Sequence, residues 1–271
     1  MQDGQLSKSL VDAPEKCHLS LLIDRRTVYV FVSPIAPDDT TRPIVAALQA
    51  DITAPTVAKA FQEVVYANPM LLLPFGRVTV MINARRYFWL PAETAACADE
   101  AARALGFDLG KDTECLTAES DGLNTLVMLP EAALVNFIRR TFPDAKLTHP
   151  AARLVAYLYR TEAPQPRRVF ADLGHESLTV AVFDAAGLAL CGSYHPTGVE
   201  SQTYYIVAAT RTAGLDPADT PVTVSGAPDS RAALIAGLRR FVKNVMPASL
   251  PADVADSNFI PYPLLISQIC E

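Results

Sequence analysis

The sequence predicts an α/β protein built from two related halves, each a mixed β-sheet flanked by helices. Three observations carry that prediction. Short β-rich runs alternate with longer runs of helical spacing along most of the 271 residues. A stiff polar stretch, Ala163-Pro164-Gln165-Pro166, divides the chain, and the pattern restarts after it. The halves also open alike: Leu21-Leu22-Ile23-Asp24 and Val169-Phe170-Ala171-Asp172 each end a strand on Asp, with a tight turn and a second strand following. The halves so defined are residues 17–162 and 167–271, with a hinge at 163–166 and a polar lead-in over 1–16.

Composition narrows the classes of function. With 50% hydrophobic and 19% charged residues the chain can bury a sizeable core. A net charge of −6, without a compact basic patch interleaved with aromatics, argues against nucleic acid. The most apolar run, Met70-Leu71-Leu72-Leu73, is framed by Pro69 and Pro74 and falls far short of the roughly 20 apolar residues a bilayer requires. Residues 1–18 lack the basic start and apolar stretch of a secretory signal. The five cysteines are widely spaced with no Cys-x-x-Cys, which reads as reduced thiols in a cytoplasm.

Taken in order, Leu19 to Ile23 and Thr27 to Val32 form a hairpin whose turn presents Asp24. Thr40 to Ala50 and Thr56 to Ala67 are spaced as helices; in the second, Val57, Ala60, Phe61, Val64 and Val65 share a face. Strands follow at Arg77 to Ile82 and Tyr87 to Leu90. Pro91 then opens a helix over Ala92 to Leu105, ended by Gly106. Thr125 to Met128 is a buried strand, Pro130 and Glu131 start a helix reaching Phe142, Lys146 to Thr148 is a strand, and Ala151 to Arg160 is a helix. Past the hinge come strands at Val169 to Leu173, Ser177 to Phe183 and Leu188 to Tyr194, then a helix over Val199 to Thr212. A strand at Pro221 to Val224, a turn at Gly226-Ala227-Pro228 and a helix over Ser230 to Lys243 complete the pattern. The last apolar segment, Phe259 to Ile269, either packs back on the core or offers a protein contact through Phe259, Ile260 and Tyr262.

The run Phe170 to Phe183, with Asp172-Leu173-Gly174 at its turn, resembles the second phosphate hairpin of the actin, sugar-kinase and heat-shock-70 superfamily. Val222 to Ala227, leading into a helix, resembles the adenosine element expected next in that order, and the hairpin at Asp24 stands where the first phosphate loop belongs. Within the superfamily the chain is similar to a bacterial family catalogued only as domain of unknown function 3822. More distantly it is similar to the actin-like cytoplasmic domains of pilus-assembly and secretion proteins. The resemblance, over residues 17–245, implies an actin-like (ribonuclease H-like) fold of two lobes. It implies ATP and Mg²⁺ held where the two hairpins face each other across a cleft. Asp172 and Gly174 would lie at the phosphates, with Ser177 as a hydroxyl donor, Gly226 near the adenosine, and Asp24 and Thr27 in the first hairpin. No residue is a direct metal ligand; Asp172 and Asp24 would hold Mg²⁺ through water. On their own chemistry, both aspartates equally suit the capping of tight turns.

The first hairpin departs from the pattern. Family members follow its Asp with Gly and then Thr or Ser, so that backbone N–H groups can reach phosphate oxygens. Here Arg25 and Arg26 follow, and Thr27 only then. No residue is assigned as a catalytic carboxylate or as a Gln that activates water. The expected function is therefore a non-catalytic actin-like scaffold, without a cofactor, that binds a protein partner or itself. The alternative is an ATP- and Mg²⁺-binding ATPase or nucleotide switch; a sugar or acyl kinase ranks last. His175-Glu176 lacks the second His of a zinc helix because Thr179 fills that position, and no Gly-x-Ser-x-Gly or Walker motif occurs. Cys191 and His195 lie four apart, but on a strand that runs into a turn, so they share no helix face. His18 and His149 read as surface or packing residues. The Arg139-Arg140, Arg167-Arg168 and Arg239-Arg240 pairs read as solvated faces, and Tyr204-Tyr205-Ile206 with Phe241 and Val242 as core.

Overall fold

The computed structural model describes residues 11–36, 43–51, 53–161, 167–249 and 260–268. They form two compact units, Met1–Arg153 and Leu154–Glu271. The hinge expected at 163–166 lies outside the described residues, as do Phe259 and the start of the first expected helix.

The first unit is built on a hairpin, β1 (Cys17–Asp24) and β2 (Thr27–Pro34), antiparallel in full register from Cys17↔Pro34 to Asp24↔Thr27. Leu19, Leu21, Ile23, Val28 and Val30 are almost wholly buried, as expected of central strands covered on both faces. β3 (Ile44–Gln49) lies antiparallel on β2. That corrects the helix expected over residues 40–50. Apolar residues at Ile44, Val45 and Leu48 fit either period, and the free edge of β2 decides in favour of the β-branched pair. α1 (Val57–Ala67) follows, with the Thr56 hydroxyl accepting from the Lys59 N–H at 3.2 Å. β4 (Arg77–Ile82) then runs parallel to β1 on its other side.

Between β4 and the last strand of this sheet sits a separate three-stranded sheet. It comprises β5 (Tyr87–Pro91), β6 (Leu116–Glu119) and β7 (Asn124–Met128), in the order β5-β7-β6. The helix expected from Ala92 splits into a 3₁₀ stretch (Ala92–Cys97) and α2 (Ala98–Ala104), and Gly106 ends it in the left-handed region at φ 81°. α3 (Ala132–Thr141) packs on α1: Phe61 meets Phe137 edge to face at 5.7 Å, and the Glu131 carboxylate accepts from the Val57 and Ala58 N–H groups at the start of α1. β8 (Lys146–Thr148) closes the five-stranded order β3-β2-β1-β4-β8.

His149 then turns the chain into α4 (Pro150–Thr161). Its ring is fully buried against Tyr87, donates from Nε2 to the Ala84 carbonyl at 3.1 Å and accepts the Ala151 N–H on Nδ1 at 3.1 Å. Burial pushes its pKa down to about 4, so it caps the helix as a neutral imidazole.

The second unit repeats the plan. β9 (Arg168–Leu173), β10 (Leu178–Asp184) and β11 (Gly187–Tyr194) form an antiparallel meander, and β12 (Val222–Ser225) and β13 (Val245–Pro247) add in parallel. The order is β11-β10-β9-β12-β13, the same topology as in the first unit. α5 (Val199–Thr212) and α6 (Pro228–Leu238) cover it, with Ile206, Ala209, Leu234 and Leu238 against the apolar residues of β9 and β10. α6 is shorter than expected: the Leu238 carbonyl accepts from both Phe241 and Val242, the chain turns, and residues 245–247 become a strand.

Two further expectations are corrected by side-chain placement. Tyr204 and Phe241 are exposed rather than core. Arg168 is half-buried, donating to the Leu158 carbonyl at 3.0 Å and stacking its guanidinium over Phe183. In the last apolar segment, α7 (Tyr262–Leu265) is buried, and the Tyr262 ring packs on Tyr157 and Phe170 of the same unit. Among the described residues no helix is long and apolar enough to cross a membrane.

Phe61 is fully buried between α1 and α3. Phe61→Ala is expected to lower the unfolding free energy by about 3–5 kcal/mol, measured by urea denaturation at constant pH.

Candidate functional site

In the second unit, four of the residues singled out from sequence come together. β9 and β12 run parallel, so both present their carboxyl ends on one side of the sheet, where ligands of open α/β sheets bind. Asp172 lies near the end of β9 and is 7% exposed. Ser225 ends β12, directly opposite it in register, and donates from Oγ to Asp172 Oδ1 at 2.6 Å. Burial raises the Asp172 pKa and the Ser225 hydrogen bond opposes the rise; the result is about 6.

The β9–β10 turn is closed by the Gly174 N–H donating to the Ser177 carbonyl at 2.8 Å. A Cβ on Gly174 would stand 2.5 Å from Ser177 Oγ, so glycine is what allows the turn to fold down on that hydroxyl. Gly226 follows Ser225 with φ 127°, and a Cβ there would stand 2.6 Å from Leu173 Cβ and 3.0 Å from the Leu173 carbonyl oxygen. The strand-glycine-helix element is thereby pressed against the Asp172-Leu173-Gly174 turn. Asp172, Gly174, Ser177 and Gly226 thus sit in one neighbourhood.

In the first unit the matching position is built differently. Asp24 ends β1 half-buried, and Asn83, just past the end of β4, donates from Nδ2 to Asp24 Oδ1 at 3.0 Å. Arg25 takes the left-handed conformation at φ 55° in the place where the resemblance expects glycine, and both Arg25 and Arg26 are exposed. Arg26 reaches across to the Ala54 carbonyl at 3.3 Å. Thr27, paired with Asp24 across the turn, donates to Gln49 Oε1 at 3.1 Å, on the neighbouring edge strand.

Sequence reasoning missed Asn83 and Ser225. The available signal was positional: each stands at or just past the end of the strand that pairs in parallel with a strand bearing Asp at or next to its end.

Residues 8–245 match the model of a family described as protein of unknown function (DUF3822). No curated protein matches the chain. Among solved structures, the chain is similar to a protein with actin-like ATPase fold and unknown function from Bacteroides thetaiotaomicron VPI-5482. The TM-score is 0.79 at 14% identity, over 99% of this chain and 100% of that one. That likeness makes the fold actin-like, in agreement with two five-stranded mixed sheets of one topology. More distant likenesses are to the PilM-PilN type IV pilus biogenesis complex (TM-score 0.47, 14% identity, 86% of this chain and 88% of that one) and to the cytoplasmic domain of EpsL, an inner-membrane component of the type II secretion system of Vibrio cholerae (TM-score 0.45, 10% identity, 77% and 81%).

Gly226→Ala forces a Cβ into Leu173 at a φ that side chains rarely adopt. It is expected to destabilise the protein by about 1–3 kcal/mol in a thermal or urea melt. For Asp172, the folded protein keeps its proton up to about pH 6, whereas an unfolded Asp loses it near pH 4. The folded state therefore binds more protons between those values, and this group's contribution to stability falls as pH rises from about 4 to about 6. Asp172→Asn is expected to remove that slope, gaining up to about 3 kcal/mol on the wild type across the window, read as the difference in unfolding free energy at stepped pH.

Proposed function

This chain belongs to the family of proteins of unknown function DUF3822, and we propose that it acts as a non-catalytic, actin-like scaffold that binds a protein partner or a second copy of itself. One observation carries the reading: the β1–β2 turn. Nucleotide phosphates are cradled by backbone N–H groups that glycine leaves open. At this turn Arg25 holds the left-handed position and Arg26 is tied back to Ala54. Guanidinium groups attract anions as charges, but they do not reproduce a cradle of backbone donors. No residue at this turn or at the carboxyl ends of β9 and β12 has been assigned the activation of water, so hydrolysis is not part of the reading. No cofactor is part of it either. A cytoplasmic location belongs to the same proposal, supported by Cys17, Cys97 and Cys115, which form no disulfide among the described residues.

A second reading keeps ATP and Mg²⁺. It is favoured by the second unit alone, where Asp172, Gly174, Ser177 and Gly226 lie together and a carboxylate stands at a strand end. In that reading Asp172 holds the cation through water, Gly174 and Ser177 meet the phosphates, and Gly226 lets backbone approach the base.

Calorimetric titration with ATP and Mg²⁺, run on the wild type and on Asp172→Asn, separates the two. The scaffold reading expects no heat from either protein up to millimolar ATP. Micromolar binding that disappears in Asp172→Asn would replace it with a nucleotide switch.

A further inference from the structure

The outward side of α5 carries a pattern that packing within the second unit does not require. The buried residues of this helix are Thr203, Ile206, Ala209 and Thr210, and Ile206 and Ala209 join the core. On the opposite side Glu200, Tyr204 and Arg211 are exposed, and Val207 is half-buried. These four follow one another at i, i+4, i+7 and i+11, so they form a single stripe within about 60° of arc. Tyr204 is 67% exposed; its ring meets Tyr205 edge to face at 5.5 Å, and Tyr205 stacks on Tyr194. Neither Glu200 nor Arg211 takes part in an ion pair among the described residues.

Read from first turn to last, the stripe is acid, aromatic, aliphatic, base, and that order is self-complementary. A two-fold axis crossing α5 at the level between Tyr205 and Ile206 lays a second α5 antiparallel on the first. Glu200 then meets Arg211 of the second copy, Arg211 meets Glu200 of the second copy, and Tyr204 meets Val207 on both sides of the axis. Antiparallel helices also set each positive N-terminal end beside a negative C-terminal end. An apolar, aromatic centre with charges at the rim is the anatomy of a protein interface, and Tyr is enriched at its hot spots. A chain of net charge −6 repels its own copies at a distance, so a face that receives a second copy must supply opposite charges locally, and this one supplies two pairs.

The exposed stripe of α1 shows what lacks this property. There Lys59 and Glu63 lie one turn apart and Tyr66 stands at the end, so an antiparallel copy would set Tyr66 against Lys59. Beside α5, the neighbouring α6 lies close, because Gly237 sits where a Cβ would stand 2.9 Å from Val199 Cγ1. The exposed residues of α6 near that contact, Ala233 and Ala236, are too short to shield the stripe.

We propose that a second copy of this chain docks on α5, antiparallel across a two-fold axis, through Glu200, Tyr204, Val207 and Arg211. The inference rests on the scaffold reading and names its partner.

Sedimentation equilibrium of the full chain without nucleotide tests it, at concentrations up to about one millimolar, the weak end of specific association. The wild type is expected to show a monomer–dimer equilibrium. Glu200→Arg and Arg211→Glu each turn both ion pairs into like-charge contacts and are expected to weaken dimerisation about tenfold or more. The variant with both reversals is expected to regain the wild-type constant. An equimolar mixture of the two single variants is expected to form heterodimers, since each offers the charges the other lacks. Tyr204→Ala leaves the charges in place and is expected to weaken the dimer too; it serves if a reversal in the first or last turn unfolds the helix. A wild-type monomer throughout the range, a dimer that neither the reversals nor Tyr204→Ala weaken, or a mixture of folded single variants that stays monomeric overturns the proposal. A monomer together with no heat from ATP leaves the scaffold reading with a different protein as partner, whereas micromolar ATP binding removes that reading whatever the oligomeric state.

Discussion

The register between β9 and β12 sets Ser225 against Asp172, and much of what is particular to the second unit follows from that alignment. Taking a carboxylate out of water is costly unless a donor replaces the lost hydration. β9 has apolar residues buried on both faces, so water is excluded along its length, and the replacement must come from a neighbouring strand. Parallel pairing supplies it: two carboxyl ends lie side by side, one bearing the acid and the other the hydroxyl. The same alignment puts Gly226, one residue further on, against Leu173, and this is why that position tolerates no side chain. A one-residue slip would send Ser225 to the other face and set a side chain on Leu173, so hydrogen bond and steric fit enforce a single register.

The first unit shows what happens when the same plan is filled with other residues. Its strand order and hairpin match, and an aspartate again ends the leading strand beside a polar donor. Its turn, however, carries Arg25 in the left-handed region and Arg26 bonded to the Ala54 carbonyl. The sheet is held by buried aliphatic residues such as Leu19, Leu21 and Val30, none of which lies in the turn. Folds tolerate this because the core and the loops at strand ends are selected on separate physical grounds.

The central strands, α1, α3, α5 and the two hairpins were legible in the sequence because their apolar residues are consistent with one period over many positions. Glycine supplied the strongest site signal, since Gly174 and Gly226 stand where close backbone approach is needed. β3 was misread because Ile44, Val45 and Leu48 fit two periods, and only the open edge of β2, a distant contact, resolves them. β6 and β13, four and three residues long, went unread: residues 116–119 carry little apolar character, and residues 245–247 were not read as a strand beyond the helix expected to reach Lys243. Asn83 and Ser225 escaped for a different reason. Their roles depend on which strands lie side by side, and pairing between segments tens of residues apart leaves no local trace.

The three-stranded sheet inserted in the first unit bears on the order of events in folding. In the second unit β9, β10 and β11 are contiguous, and each later strand joins after a single intervening helix. In the first, β5 through α3 intervene between β4 and β8, so β8 pairs with β4 across a much longer stretch of chain. Longer loops cost more entropy to close, and distant pairings form more slowly. The first unit is therefore the slower of the two to complete its sheet from a fully unfolded chain. During synthesis that handicap shrinks, because the amino-terminal unit leaves the ribosome first and closes β8 while the faster unit is still being made.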